Sequence, residues 1–247
     1  MTRSLVTLLL VVLSALSLTA QVAADRTKAR ELNRLGWDYM KNEQFDNAVK
    51  AFQQSVEVDP SFDMPWYGLG RAHLALKQFV SATSALVRCR ELYIQQSGKQ
   101  FTSQQEAQRY RRDRILEIDE MIRELTTGPQ TAQRQEQLRQ VQEHRRQLQD
   151  IISRGNNITI ENSVPAWVSL SLGSAYFRSG KLSDAEREFK AAIDADRKAG
   201  EALNNLAVVY LETERFDLAK TTIEAAKKTG FRVNPELERA IKERAKN

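Results

Sequence analysis

The sequence WVSLSLGSAYFRSGKLSDAEREFKAAI, residues 167–193, recurs in outline as EALNNLAVVYLETERFDLAKTTIEAA, residues 201–226. Leu206 in the second copy corresponds to Leu172 in the first, and Ala219 corresponds to Ala185 at the same offset. A fixed offset of this kind is typical of a solenoid, in which one unit cannot bury its apolar face without a neighbour. The repeat therefore predicts a stack of similar units.

The same period appears twice more, upstream of residue 97. The two upstream copies hold Leu32, Leu35, Gly36, Tyr39, Ala48, Phe52, Ser55 and Pro60, and then Trp66, Leu69, Gly70, His73, Ala82, Leu86 and Cys89. The spacing of Leu32, Leu35, Gly36 and Tyr39 predicts an amphipathic helix that buries these positions. Gly36, Gly70 and Gly173 lie mid-helix, where Gly costs about 0.5–1 kcal/mol relative to Ala. This cost indicates that a second helix approaches closely there.

The pattern of an apolar residue, Leu-Gly, Tyr and then Ala resembles the tetratricopeptide repeat (TPR) family, and the resemblance covers about half of the chain in two pairs of copies. His73 departs from it, since it stands where the family has Tyr. The resemblance implies paired helices in each repeat and a concave groove, lined by the first helices, that takes a peptide. We therefore expect an all-α, TPR-type helical-repeat solenoid, interrupted by a long antiparallel helical hairpin.

The interruption lies between Ser97 and Pro165, where the repeat pattern vanishes. The block splits at Thr127, and the apolar residues on either side follow helical spacing. They are Ile115, Ile118, Ile122 and Leu125 before the split, and Leu138, Val141, Leu148 and Ile152 after it, with Arg145 breaking the second seam. Two long helices folded back as an antiparallel coiled-coil hairpin fit this pattern, and two decayed repeats are the alternative. The hairpin either projects into solvent or lies along the solenoid, and could set the spacing between two repeat pairs.

The amino-terminal segment, residues 1–24, differs from the rest of the chain. Arg3 precedes an apolar run over residues 5–18, and a small-residue stretch ends at Ala24, as in a cleaved secretory signal peptide. We therefore expect an exported protein, periplasmic or secreted, and the alternative is a chain anchored in a membrane by residues 5–24. The expected organisation is a signal peptide at 1–24, TPR repeats 1 and 2 at 25–96, the hairpin insert and its loop at 97–165, TPR repeats 3 and 4 at 166–233, and a C-terminal capping helix at 234–247.

The chain shows little that predicts chemistry. It is 28% charged with a net charge of +5, and acidic residues are interspersed with basic ones, so no nucleic-acid-binding stripe is visible. The only histidines, His73 and His144, lie on different elements without neighbouring ligands, which leaves no metal site and no cofactor motif. The single Cys89 falls at a small-residue repeat site and is predicted to be buried. We expect no enzymatic activity.

The predicted function is that of a non-enzymatic scaffold or adaptor of the cell envelope, which binds a peptide segment of a protein partner in the concave groove. Aromatic and Arg side chains, which are enriched in protein interfaces, flank the buried stripe on that side. The predicted groove residues are Arg30, Asn33, Trp37, Tyr67, Arg71, Trp167, Phe177 and Asn204. The alternative for the aromatic ones is packing against the hairpin or a neighbouring repeat. The alternative function is a structural subunit of an envelope assembly that contacts partners through the hairpin.

Overall fold

The computed structural model describes residues 25–98, 100–127, 131–155 and 164–244, and every element in these ranges is a helix. The predicted signal peptide, the centre of the turn after Thr127 and most of the loop before Pro165 lie outside the described residues. The helices are α1 (25–41), α2 (Phe45–Val58), α3 (Asp63–Ala75), α4 (Phe79–Gln96), α5 (Gln104–Thr126), α6 (Ala132–Arg154), α7 (Ala166–Arg178), α8 (Leu182–Ala195), α9 (Gly200–Glu212), α10 (Phe216–Lys228) and α11 (Pro235–Arg244). The all-α fold class is thereby confirmed.

Four helix pairs carry the repeat: α1–α2, α3–α4, α7–α8 and α9–α10. The turn inside each pair places one residue at the same repeat position in the left-handed region, with φ of 56° at Glu43, 59° at Lys77, 74° at Gly180 and 58° at Glu214. A non-Gly residue pays about 1–2 kcal/mol for this conformation. Its recurrence in all four pairs shows that the turn geometry is imposed by the packing of the two helices and not by the local sequence.

The glycine at mid-helix lets the two helices of a pair touch. A Cβ at Gly173 would lie 2.7 Å from the Phe189 ring, and one at Gly36 would lie 2.5 Å from the Phe52 ring. Both rings are almost fully buried. The glycine in the first helix is therefore the socket for the large side chain of the second helix, as the sequence predicts.

The stack of repeats is continuous across the insert. Helix α4 packs against α7, as α2 packs against α3 and α8 against α9, and the first helices α3, α7 and α9 are neighbours. The hypothesis that the hairpin spaces two repeat pairs is therefore wrong, because the pairs on either side of it are in direct contact.

The first repeat buries a different face from the one predicted. Leu35 is 40% exposed, whereas its counterparts Leu69, Leu172 and Leu206 are buried. The counterparts pack against the preceding repeat, and no described helix precedes α1. The buried face of α1 instead holds Ala29, Asn33, Gly36, Trp37 and Met40.

The insert forms two 23-residue helices, α5 and α6, that contact each other. Arg134 Nε donates to the Leu125 carbonyl at 2.9 Å, and Arg145 Nε lies 2.6 Å from Asp119 Oδ1. The first contact joins the start of α6 to the end of α5, and the second joins residues further from the turn in both helices. The two helices are therefore antiparallel. We refer to α5 and α6 together as the hairpin. The hairpin lies along the solenoid: α5 contacts α1 and α3 through ion pairs, and α6 packs against α7 and α9.

The described part of the chain ends with α11, which packs on α10 and buries Ile241. Asn234 caps this helix, since its Oδ1 accepts a hydrogen bond from the Glu236 N–H at 2.9 Å. Among the described helices, none combines the length and the apolar character needed to span a membrane.

Candidate protein-binding surface

The first helices of the four pairs present one continuous surface, which we call the inner wall. The repeat register sorts its side chains into four rows, each with one residue from α1, α3, α7 and α9. From the amino to the carboxyl ends of the helices, the rows are Arg30, Met64, Trp167 and Glu201; Asn33, Tyr67, Leu170 and Asn204; Trp37, Arg71, Ser174 and Val208; and Met40, Leu74, Phe177 and Leu211. The hairpin covers the first two rows and part of the third.

An aromatic cluster fills the centre of the inner wall. The rings of Tyr67 and Trp167 meet edge to face with centroids 4.5 Å apart, and Trp37 stands 6.1 Å from Tyr67. Each of these three side chains is only 1% exposed. The His144 ring of α6 lies edge-on to the Trp167 ring with centroids 6.5 Å apart, so the hairpin covers this part of the cluster.

A buried ion pair fixes the hairpin to the wall near the amino end of α3. Arg114 of α5 donates two hydrogen bonds to Asp63, both 2.6 Å long, in the bidentate geometry that makes Arg–carboxylate pairs strong. The two side chains are 6% and 1% exposed. Burial is the largest effect on the pKa of Arg114 and disfavours the guanidinium charge, but its negative partners together, Asp63 foremost, outweigh burial and hold this pKa well above its ordinary value.

Further polar contacts tie the hairpin to the wall along its length. On the α5 side, Arg30 binds Asp113 and Glu117, each at 3.0 Å, and Arg71 binds Glu124 at 3.1 Å. On the α6 side, Gln133 Nε2 donates to Glu201 at 2.5 Å, and Arg139 lies 2.5 Å from Asp196. The hairpin therefore bridges the first two repeats to the last two.

These contacts decide where the predicted groove residues lie. Asn33, Trp37, Tyr67 and Trp167 are buried, Arg30 and Arg71 are engaged in ion pairs with α5, and the Asn204 Oδ1 atom is buried. Phe177 is half-buried and lines a cleft. The open groove predicted from the sequence is thus occupied by the chain's own hairpin over most of its length. A partner can reach the covered residues only if the hairpin moves, and their role in binding stays a prediction.

Two clefts remain open where the first helices end, beside the tip of the hairpin. The first rim cleft, of about 510 Å³, lies between the start of α6 and the α1–α2 turn and is lined by Met40, Arg71, Leu74 and Ser174. The second rim cleft, of about 800 Å³, shares Leu74 and Ser174 and adds Phe177 and Val208. Two cations, Lys77 and Arg178, also line the second cleft, and none of the described residues that line it is a carboxylate.

Two ionisable groups with displaced pKa values lie where the hairpin meets the wall, namely Glu201 of α9 and His144 of α6. Burial raises the pKa of Glu201 to about 8, so its side chain is largely protonated in the folded protein at neutral pH. Burial, followed by the charge of Arg114, lowers the pKa of His144 to about 4, so this imidazole is neutral. Burial is the main cause of both shifts.

The remaining predicted features are structural. Cys89 is fully buried, as predicted, and burial raises the pKa of its thiol well above the ordinary value. His73, which stands where the family has Tyr, lies half-buried beside Gln78, with its Nδ1 2.6 Å from the amide oxygen. Among the described residues, no cluster of His, Cys, Asp and Glu could hold a metal ion.

Sequence reasoning missed the charged residues that dock the hairpin, although two signals for them exist. Asp63 stands at a repeat position that the other three repeats fill with small residues, namely Ala29, Ala166 and Gly200. On α5, the stripe of Ile118, Met121 and Leu125 continues towards the amino end in the same 4-3 spacing through Arg114, Arg111 and Ala107. A carboxylate in place of Ala and an Arg in an apolar stripe together indicate a buried pair.

The buried Glu201 gives a test of the closed arrangement. Its folded-state pKa of about 8 lies above the ordinary value of 4.5. The contribution of Glu201 to the free energy of unfolding is therefore fully present below pH 4.5 and is lost as the pH rises towards 8. Glu201→Gln should therefore gain stability relative to the wild type across this window, by up to about 1.4 kcal/mol per pH unit. Urea denaturation at pH 5 and pH 8 measures the difference. The control Glu212→Gln, on the exposed face of α9, should show no such trend, and parallel pH profiles for Glu201→Gln and wild type would contradict burial.

Comparison with known proteins supports the repeat assignment. Family models of the tetratricopeptide repeat match residues 29–62 and 170–230. No curated protein matches the chain. Residues 29–62 and 170–230 cover the α1–α2 pair and most of the α7–α8 and α9–α10 pairs.

Several solved structures match the chain at low identity. The type IV pilus biogenesis factor PilW is 13% identical with a TM-score of 0.42, and the match covers 89% of this chain and 86% of that one. A TPR protein of Thermus thermophilus is 18% identical with a TM-score of 0.36, covering 89% and 100%. PilF of Pseudomonas aeruginosa is 13% identical with a TM-score of 0.35, covering 90% and 85%. At these scores the likeness carries no inference about function. The chain contains tetratricopeptide repeats, which the family models match at residues 29–62 and 170–230.

Proposed function

We propose that this protein is a non-enzymatic protein–protein interaction scaffold, which binds a peptide segment of a partner protein at the end of the inner wall that the hairpin leaves open. The observation that carries this proposal is the pair of rim clefts, which are adjacent and share Leu74 and Ser174. Concave sites with apolar walls and a few polar groups are the usual form of a binding site.

The second rim cleft defines what such a segment would contain. Leu74, Phe177 and Val208 offer apolar contact for one large side chain. Lys77 and Arg178 stand at the same cleft without an acidic residue in its described lining, so an acidic neighbour of the anchoring side chain would be favoured. An apolar anchor flanked by Asp or Glu is therefore the expected motif of the partner. Of the residues predicted from the sequence, Phe177 and Arg71 belong to these two clefts.

A photo-crosslinking amino acid at position 177 tests this site in the native host. We expect it to trap a discrete partner protein, and the charge reversals Lys77→Glu and Arg178→Glu should lower the yield because they remove the complementary cations. The matched control is the same amino acid at Leu218, which is 48% exposed on α10. The proposal would be contradicted if the partner were trapped equally from positions 177 and 218, or if neither charge reversal changed the crosslinking yield.

We place this scaffold in the cell envelope because of residues 1–24, whose basic start, apolar run and small-residue end are typical of a secretory signal. Cleavage after Ala24 would leave the helical array as the mature protein. Amino-terminal sequencing of the protein isolated from its host is expected to begin at Asp25. A chain that retains residues 1–24 and stays with the membrane fraction would favour the anchored form, and one that retains them in the cytosol would contradict export.

A further inference from the structure

The interface between the hairpin and the inner wall contains polar atoms that neither side satisfies. Buried atoms without a hydrogen-bond partner among the described residues include Asn33 Oδ1, Trp37 Nε1, Gln140 Oε1, Trp167 Nε1 and Asn204 Oδ1. Four of them belong to the inner wall and one to α6, on the side of the hairpin that faces it. Buried polar groups are nearly always paired, and each unpaired one costs about 1–3 kcal/mol. Because these atoms are concentrated at one interface, the hairpin leaves hydrogen-bonding groups of the wall unsatisfied.

The reason for the mismatch is the helical form of the hairpin. A helix satisfies its own backbone N–H and C=O groups along its length, so only its side chains can meet the atoms of the wall. An extended segment instead offers one free N–H and one free C=O for each residue. The two indole N–H groups need acceptors and the two Asn oxygens need donors, and an extended backbone supplies both.

The stack of repeats does not run through the hairpin. The contact between α4 and α7 continues the stack without it, as does the contact between α3 and α7. Gly155, which follows α6, lies next to the side chain of Gln104, the first residue of α5. The chain therefore enters and leaves the hairpin at the same end. Gly98 and Gly155 have φ of 76° and 74° in these connections. The hairpin is thus an appendage joined at its base, with its tip at the rim clefts.

Charged contacts hold the hairpin in place beside apolar ones, since Ile118, Met121 and Val141 belong to the same buried cluster as Tyr67 and Trp167 of the wall. Glu117 and Glu124, one heptad apart on α5, meet Arg30 of α1 and Arg71 of α3. Pairs of this kind are exchangeable, since another chain that carries carboxylates at the same spacing can replace them. The acidic motif expected at the second rim cleft would bring such carboxylates to the wall from its open end.

We propose that the hairpin is a releasable internal ligand of the inner wall, and that an extended, acidic segment of a partner replaces it and pairs with the unsatisfied atoms of Asn33, Trp37, Trp167 and Asn204. This inference rests on the proposed function for the identity of the partner, but the release of the hairpin does not. With the hairpin docked, binding is limited to the rim clefts. With the hairpin released, the whole wall with its aromatic cluster becomes the binding surface.

Release is measured on the full chain without a partner. Trp66→Phe leaves Trp37 and Trp167 as the only indoles, and both lie under the hairpin. In this background, Glu117→Gln with Glu124→Gln removes the charges that face Arg30 and Arg71. We expect acrylamide quenching of the indoles to rise and amide exchange of residues 104–126 and 132–154 to accelerate at least about tenfold, the factor that corresponds to losing one charge-assisted hydrogen bond. Amides of α7–α10 should keep their rates.

The control pair is Glu143→Gln with Asp150→Asn, which changes two carboxylates of α6 outside the ion pairs to the wall and should leave quenching and exchange unaltered. A second measurement of amide exchange uses the wild-type chain. Its hairpin amides should exchange as one unit and faster than those of α7–α10. The proposal would be overturned if the hairpin amides exchanged no faster than those of α7–α10, in either the wild type or the Glu117→Gln/Glu124→Gln chain.

The nature of the replacing ligand is tested with a phage-displayed library of linear peptides, selected on the Glu117→Gln/Glu124→Gln chain. We expect acidic peptides that bind this chain at least about tenfold more tightly than the wild type, and that shift both indole N–H resonances downfield on binding. Peptides that bind both chains equally, or that leave the indole resonances in place, would overturn the extended-segment part. A failure here leaves crosslinking from position 177 unaffected, so it is distinguishable from a failure of the proposed function.

Discussion

The Arg114–Asp63 pair joins two parts of the chain that the repeat pattern does not connect. Asp63 begins α3 on the inner wall, and Arg114 comes from the middle of α5. Removing both charges from water costs several kcal/mol for each ion, and the bidentate geometry, the contact of Arg114 with Glu117 and the nearby Tyr93 ring offset that cost. The pair is satisfied only when the hairpin lies in the groove. It therefore fixes the position of the hairpin, and with it which residues of the wall meet solvent.

The repeat array supplies the rigid half of this arrangement. The glycine sockets of Gly36 and Gly173 and the common left-handed turn hold each helix pair in one geometry. Because α4 packs directly on α7, the wall is unbroken from α1 to α9. A long insertion at this point of the chain is tolerated since it leaves from the end of α4 and returns at α7 without separating them. The insertion can therefore change the function of the wall without changing its shape.

The sequence predicts the parts of this structure that depend on local spacing. The four helix pairs, the glycine sockets and the two insert helices all follow from periodicity within the length of a single repeat. The burial of Leu35 could not be judged in the same way, because it depends on whether another repeat precedes the first. The docking of the hairpin depends on contacts such as Arg30 with Glu117 and Arg71 with Glu124, which link residues far apart in the chain. Periodicity carries no information on such pairs, and therefore none on what covers the predicted site residues.

The central claim is that the hairpin docks on the inner wall through Arg114 and Asp63. A double-mutant cycle with Arg114→Gln and Asp63→Asn, measured by urea denaturation, tests it most directly. Each single substitution should destabilise by about 3–5 kcal/mol, because it leaves a buried charge without its partner. The double substitution should cost far less than the sum, with a coupling energy of at least about 1.5 kcal/mol. Additive effects, with no coupling between the two positions, would show that α5 does not lie on α3 and would contradict the account.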